Sequence, residues 1–456
     1  MSPDTWGWAM GATGTTGTTA HAVVLGAGMS GLFAARALTR TFARVTVVER
    51  DRLPAGPEPR KGVPQGRHVH ALLGTGAQAI ERLLPGLGEE LRAAGAVTAR
   101  LLQDARYVLG GAPLARGDAG VSALQATRPL LEATVRARVA ALPGVTFLEG
   151  RDVLGPEAGQ GRVTGVRVRL RREDAEEEVL RAGLVVDAMG RAGHAAGWTR
   201  DLGHGAPPEE RLKVDVGYAT RFVALPEDVL DGDRMALVGN VPGLPTRGAA
   251  LALQEGGRWL LTLAGMAGDH PPTDDDGFLA YARTTLPSEV YEAVRDAGPS
   301  GATVFHRFPQ SLRRRFEKLP SHPEGLIAVG DGVSSFNPVY AQGMTVAAQE
   351  AEALAACLDE GGPDGLPARY FAAAARVVEP AWAMARNADL SVPQVPAERP
   401  LAWRLLGRYA ERLVLVARHD PEAASRYVRV TQLLDPPSAL FAPKLATKVL
   451  RGPRRP

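Results

Sequence analysis

One cysteine, Cys357, stands in 456 residues. A single thiol excludes an internal disulfide framework and any cysteine-based metal site. In its Ala-rich surroundings Cys357 reads as a core residue. No run of about 18 apolar residues occurs, so neither a transmembrane helix nor stable membrane insertion is expected. The first twenty residues are rich in Gly and Thr and lack both a basic n-region and an apolar h-region. They read as a disordered tail over 1–20 rather than a secretory leader. Together with the missing disulfides this points to a reducing, cytoplasmic setting. Charge of one sign is also scarce. The net charge is +3, with its excess local to Arg313–Arg315 and to Arg451, Arg454 and Arg455, so no nucleic-acid partner is indicated. No internal repeat is found. His68 and His70 do not form a metal pair: an i, i+2 spacing splays them apart on a helix and no acids cluster nearby. No metal is expected.

What the chain does have begins at His21. The apolar run Ala22–Leu25 reads as a strand buried on both faces. Gly26, Gly28 and Gly31 follow in G-x-G-x-x-G spacing, with Met29 and Ser30 between them as further cofactor-binding candidates, then an Ala- and Leu-rich helix is expected over Leu32 to Thr39. A second β-branched run, Val45–Val48, ends on Glu49 and Arg50. One glycine serves a tight turn, one lets a pyrophosphate approach the backbone, and one permits close helix–strand packing. The helix N-terminus presents free N–H groups to that pyrophosphate. An acid roughly 20 positions on suits an adenosine ribose, and Glu49 is in place. Together these features predict a dinucleotide site.

The following loop, Leu53 to Gly66, carries Arg60, Lys61 and Gln65, and His68 follows it; this segment runs back along a bound nucleotide. Helical spacing resumes from Val69 to Leu84 and over Arg128 to Ala141, with Pro129 in the first turn. Strands are expected at Val145–Leu148, at a hairpin over Arg162–Arg169 and Glu178–Leu180, and at Leu184–Asp187. Asp187, at the end of a buried strand and before the Gly190 turn, is expected to point into a ligand crevice. Residues 205–320 alternate apolar and polar over Val214–Phe222, Gly248–Leu253 and Arg258–Ala264. This predicts an antiparallel sheet with one face free for substrate, with helices over Phe278–Leu286 and Glu289–Ala297. A second buried strand then enters a turn at Gly330 and Asp331, followed by Pro338 and a long helix from Gly343 and Met344. Asp331 can accept from ribityl hydroxyls, and the helix N-terminus can stabilise negative charge on a reduced flavin. The stretch from 366 on is mostly helical.

These two glycine-rich units resemble the two FAD fingerprints of the class A flavoprotein monooxygenases with the aromatic-hydroxylase fold. A nearer resemblance is to the actinobacterial polyether epoxidases of lasalocid and monensin type. It is carried by Arg60-Lys61-Gly62-Val63-Pro64-Gln65 with His68 and His70, Asp187-Ala188-Met189-Gly190-Arg191, Phe336-Asn337-Pro338-Val339-Tyr340 with Gln342-Gly343-Met344, and Ala381-Trp382-Ala383-Met384-Ala385 with Asp389-Leu390. It covers nearly all of residues 21–445. The resemblance implies an α/β fold: an FAD-binding Rossmann-like domain of glutathione-reductase or aromatic-hydroxylase type, an inserted antiparallel-sheet substrate domain and a C-terminal helical region. The implied division is a tail (1–20), a first FAD-binding segment (21–204), the substrate domain (205–320), a second FAD-binding segment (321–365) and the helical region (366–456). It also implies that Arg128 contacts the FAD phosphates or adenosine.

The implied activity is insertion of one oxygen atom from O2 into a natural-product intermediate through a flavin C4a-hydroperoxide, with alkene epoxidation favoured. A small apolar, polyketide or terpenoid substrate is implied. Epoxidation of this kind requires no protein nucleophile, only a dry pocket and correct placement. The catalytic assignments fall on Pro338, whose rigid loop would lie beside the flavin ring, and on Tyr340. Tyr218, Arg221 and His306 are candidates for the substrate wall. Gly193-His194 stands where single-component hydroxylases carry a small polar pair, so NAD(P)H is expected to serve as reductant either directly or through a separate flavin reductase. Ring hydroxylation, or a same-fold FAD-dependent reduction or dehydrogenation of a prenyl or polyketide substrate, is the alternative. Trp6-x-Trp8 lacks the Ile-Pro context of tryptophan halogenases, and halogenation is not expected.

Overall fold

A computed structural model describes residues 20–452, apart from residues 71 and 400. The expected tail over 1–20, with Trp6 and Trp8, therefore lies, but for its last residue, outside the described residues.

Five short parallel strands form the first layer, in the order Leu326–Ala328, Leu184–Asp187, His21–Leu25, Arg44–Val48 and Val145–Leu148. Strand His21–Leu25 is buried along its length, as a strand covered on both faces must be. Its alternate residues serve two cores. Ala22 and Val24 pack with helices Met29–Leu38, Arg128–Ala140 and Gly343–Gly361. Val23 and Leu25 pack against Val163, Val166 and Val168 of a three-stranded antiparallel sheet. Strands from residue 21 and from residue 326 thus share one sheet, and their C-terminal ends open on the same edge.

The second layer is an eight-stranded sheet. Its order is Ser334–Ser335, Val304–Arg314, Glu209–Val223, Arg258–Gly265, Arg247–Gln254, Met235–Gly239, Ala105–Leu109 and Ala112–Pro113. The alternating stretches seen in the sequence supply its centre. The sheet also recruits strands from outside residues 205–320, and Met235–Gly239 pairs parallel with Ala105–Leu109. Helices Asp275–Thr285 and Ser288–Ala297 bury Phe278, Val290 and Val294 against one face with Trp259, Leu261 and Leu263. The other face looks toward the parallel layer.

Helix Leu366–Ser391 lies along Gly343–Gly361, and helices Leu401–Ala417, Pro421–Thr431 and Pro443–Arg451 close the end of the large sheet through Leu413, Val416, Val428 and Leu445. Among the described residues no helix is long and apolar enough to cross a membrane.

Candidate active site

The first glycine turn is built as its spacing requires. Gly26 has φ +103°, a conformation that L side chains rarely adopt. A Cβ on Gly31 would lie 1.9 Å from the Gly26 carbonyl oxygen, whereas a Cβ on Gly28 would meet nothing within 4 Å. So Gly31 is a packing glycine, and Gly28 faces open space in front of helix Met29–Leu38, whose N-terminus has no side-chain cap. Glu49, at the end of the next strand, accepts from the Ala27 N–H (2.9 Å) and the Asp51 N–H (3.0 Å). The Arg60 guanidinium reaches back over this turn. It donates to Glu49 at 2.9 Å, to the Ala27 carbonyl at 3.0 Å and to Glu132 at 2.6 Å. Burial works against its charge, but Glu132 and Glu49 outweigh that and raise its pKa. Glu132 also accepts from Arg128, one helical turn before it, at 3.1 and 3.2 Å.

The second turn meets the first. Gly330 has φ +62°, and a Cβ there would sit 2.6 Å from the Ser30 Cβ. Its N–H donates to the buried Glu350 at 2.7 Å, and burial pushes the Glu350 carboxyl up to about 8. Burial likewise raises Asp331, against the pull of Arg191 and Arg128. Helix Gly343–Gly361 begins just beyond, again without a side-chain cap. At its start Gln342 Oε1 and Thr345 Oγ1 are buried without a hydrogen-bond partner.

Both turns open into one cavity of about 2040 Å³. That is roughly twice the upper end of the range for ligand pockets, so it has room for a dinucleotide and a second molecule. Gly26, Gly28, Met29, Ser30, Glu49, Arg50, Arg60, Gln65, His68, Arg128, Gly190, Gly330, Asp331, Pro338, Tyr340, Gly343 and Met344 all border it, and so do Tyr218 and His306. The ring centroids of His68 and Tyr218 are 5.6 Å apart, and those of His68 and His306 are 5.9 Å apart. His68 shares a 2.7 Å hydrogen bond with Thr220. Burial, aided by His306, lowers His68 to about 4, and burial lowers His70 to about 3. Both imidazoles are therefore neutral and weakly basic near pH 7. Burial holds the Tyr218 and Tyr340 hydroxyls well above the ordinary phenol range.

Four expected positions are not on this wall. Arg221 points through the sheet to the helix side, with its guanidinium 4.1 Å over the Phe278 ring and bonded to Asp275 at 2.8 Å. The alternation puts Tyr218 on one face and Arg221, three residues on, on the other. Asp187 is buried and spent on its own loop, accepting from the Met189 N–H (3.1 Å) and the Ala195 N–H (2.7 Å). It shapes the crevice edge without facing it. Lys61 is exposed. Gly31 sits behind the turn.

The site also contains residues the sequence reading gave no separate role. Asp389, fully buried near the end of helix Leu366–Ser391, accepts from Tyr340 Oη at 2.8 Å and Asn337 Nδ2 at 2.7 Å, while its Oδ2 has no partner. Burial raises its pKa to about 6, against the opposing bonds from Asn337 and Tyr340. Arg191 lies over the Phe308 ring at 4.7 Å and donates to Ser335 Oγ at 2.8 Å. Glu132 was legible as the i+4 partner of Arg128. Asp389 carries no comparable local signal beyond being an acid in an Ala-rich helix.

Residues 24–84 match the model of the NAD(P)-binding Rossmann-like domain. Protein Rv3254 of Mycobacterium tuberculosis is 35% identical over 430 residues, spanning 91% of this chain and 90% of that protein. Among solved structures, the flavin-dependent brominase Bmp2 superposes with a TM-score of 0.66 at 14% identity, over 90% of this chain and 93% of its own. The p-nitrophenol 4-monooxygenase PnpA of Pseudomonas putida gives 0.64 at 18% identity, over 95% and 98%. The fold is therefore the mixed α/β, FAD-dependent monooxygenase type, as expected. The two structures are matched about equally, so the likeness does not select a chemistry.

Proposed function

The chain belongs to the same family as Protein Rv3254 of Mycobacterium tuberculosis, and from that premise we propose that it is an FAD-dependent monooxygenase acting on a small apolar natural-product intermediate. The observation that carries this reading is the meeting of two glycine turns, about 300 positions apart in the chain, at one oversized cavity. The open face of Gly28, the two uncapped helix starts and the unpartnered Gln342 Oε1 are the features a bound dinucleotide would complete.

On this reading Gly28, Met29 and Ser30 hold the pyrophosphate, and Glu49 the adenosine ribose. Arg60 and Arg128 fix the adenosine end through Glu132, and Asp331 receives ribityl hydroxyls. The start of helix Gly343–Gly361 would hold the flavin end, its free N–H groups stabilising negative charge there. Reduced FAD supplies an electrophilic oxygen atom derived from O2. The chain's own task is then to place the substrate carbon and exclude water. Pro338 and Tyr340 would border the reacting oxygen, and Tyr218, His68 and His306 line the same cavity.

The substrate class follows from what that wall lacks. Its histidines are weak bases and its tyrosines stay protonated. Activation of a phenol requires a base, whereas alkene epoxidation does not, so epoxidation is the favoured reaction. Ring hydroxylation is the second reading, favoured by one observation: the Tyr340–Asp389 hydrogen bond offers a route for a ring proton.

Purified protein is expected to be yellow and to consume O2 with NAD(P)H, alone or with an added flavin reductase. Protein that takes up no FAD sinks the proposal. Bound flavin that reduces a prenyl double bond without O2 would replace it with the reductase alternative.

A further inference from the structure

Nine large hydrophobic side chains stand exposed among the described residues, and six of them lie between residues 401 and 451: Leu401, Leu405, Leu406, Leu415, Phe441 and Leu450. Scattered exposed leucines need no explanation, but a cluster on one short stretch does. Helix Leu401–Ala417 explains the geometry. Its inner side buries Leu413, Val416 and Ala417. At i, i+4, i+7, i+11 and i+14 its outer side presents Leu401, Leu405, Arg408, Arg412 and Leu415, all exposed, with Arg404 and Glu411 beside them. None of Arg404, Arg408 and Arg412 has an ion-pair or hydrogen-bond partner among the described residues. Nearby cations are paired: Arg429 with Asp435 and Lys448 with Asp420. The outer face is thus apolar and basic together.

We propose that this face docks on an anionic phospholipid surface and admits an apolar substrate from the bilayer. Long arginine side chains interleaved with leucines can lay their stems along the acyl boundary and keep their charges at the headgroups. A second copy of the chain is a poor occupant, because an isologous contact sets the same patch against itself, arginines facing arginines. Continuity with the cavity favours lipid over a protein partner. Leu406, Phe441, Arg404 and Arg408 belong both to this surface and to the cavity wall, so whatever covers the face sits at the cavity's mouth. The docking does not depend on the flavin reading; the substrate's arrival through it does.

The test is flotation of the full chain with vesicles of equimolar phosphatidylcholine and phosphatidylglycerol, against phosphatidylcholine alone. The expected result is binding to the anionic vesicles only, reversed by salt. Each of Arg404→Gln, Arg408→Gln and Arg412→Gln weakens binding about fivefold, and Leu405→Glu abolishes it, with Tm unchanged because all four side chains are exposed. No binding to anionic vesicles, or binding that survives these substitutions, overturns the proposal. So does sedimentation as a dimer that Leu405→Glu dissociates. Vesicle binding is read without turnover, so its failure is distinct from failure to bind FAD.

Discussion

Two buried carboxyl groups separate stability from chemistry at the residue scale. Glu350 is raised from 4.5 to about 8 by burial. An acid whose folded pKa exceeds its unfolded value favours the fold below the unfolded pKa. That contribution is lost as pH rises from 4.5 to about 8. Glu350→Gln keeps an acceptor for the Gly330 N–H and removes the titration. It is expected to raise Tm at pH 9 by about 2–4 °C relative to the parent, with little change at pH 5; equal effects at both would refute the assignment. Asp389, raised to about 6, follows the same sign between 3.8 and 6. It also distinguishes the two chemistries. If a ring proton leaves through Tyr340, Asp389→Asn removes an inflection near pH 6 from the kcat profile. If the substrate is an alkene, the profile keeps its shape. Neither residue was assigned such a role from sequence, since an acid on a helix reads as surface until the helix's partners are known. The same blindness sent Arg221 to the wrong face: it lies three residues from Tyr218 on an alternating strand, and parity alone separates them.

Helix Met29–Leu38 and its turn show what a motif can specify at the element scale. Its three glycines have different surroundings, and equal substitutions should therefore fail differently. Gly31→Ala drives a methyl into the Gly26 carbonyl and is expected to cost roughly 3 kcal/mol or more. Gly28→Ala has φ −75° and open space, so the chain folds with a near-parental Tm. On the proposed reading the methyl occupies the pyrophosphate's approach, and FAD affinity falls at least about tenfold. Thermal melts and the visible spectrum separate the two outcomes; a Gly28→Ala protein that keeps its flavin would remove Gly28 from the site. This turn was legible because backbone geometry, rather than tertiary context, selects its residues. Strand Val304–Arg314 was not: Pro309 and the adjacent Arg313 and Arg314 interrupt its alternation, and its partner, Glu209–Val223, lies about 90 positions earlier. Likewise nothing in Ala105–Leu109 announces that it joins the large sheet rather than the layer around it, because a five-residue strand carries no record of its neighbour.

For the whole molecule, the consequence of joining residue 21 to residue 326 in one sheet is that a single ligand would touch two segments about 300 positions apart. Glu49 and Arg60 from the first unit and Gly343 and Met344 from the second all line the same cavity. ADP carries only the adenosine half of FAD, and this makes the assignment divisible. In hydrogen exchange, ADP is expected to slow amides at 26–31 and 49–60 and to leave those at 338–345 unchanged. FAD slows both sets. The Ser30–Gly330 contact lies at the junction, so amides at 330–332 respond to either ligand. At FAD a hundredfold above its Kd the fold gains about 2.7 kcal/mol, enough to separate the melts of apo- and holoprotein. Should ADP protect 338–345 as fully as FAD does, the late turn would be reporting the stiffening of the first rather than a contact of its own, and the isoalloxazine would have to be placed elsewhere in the cavity.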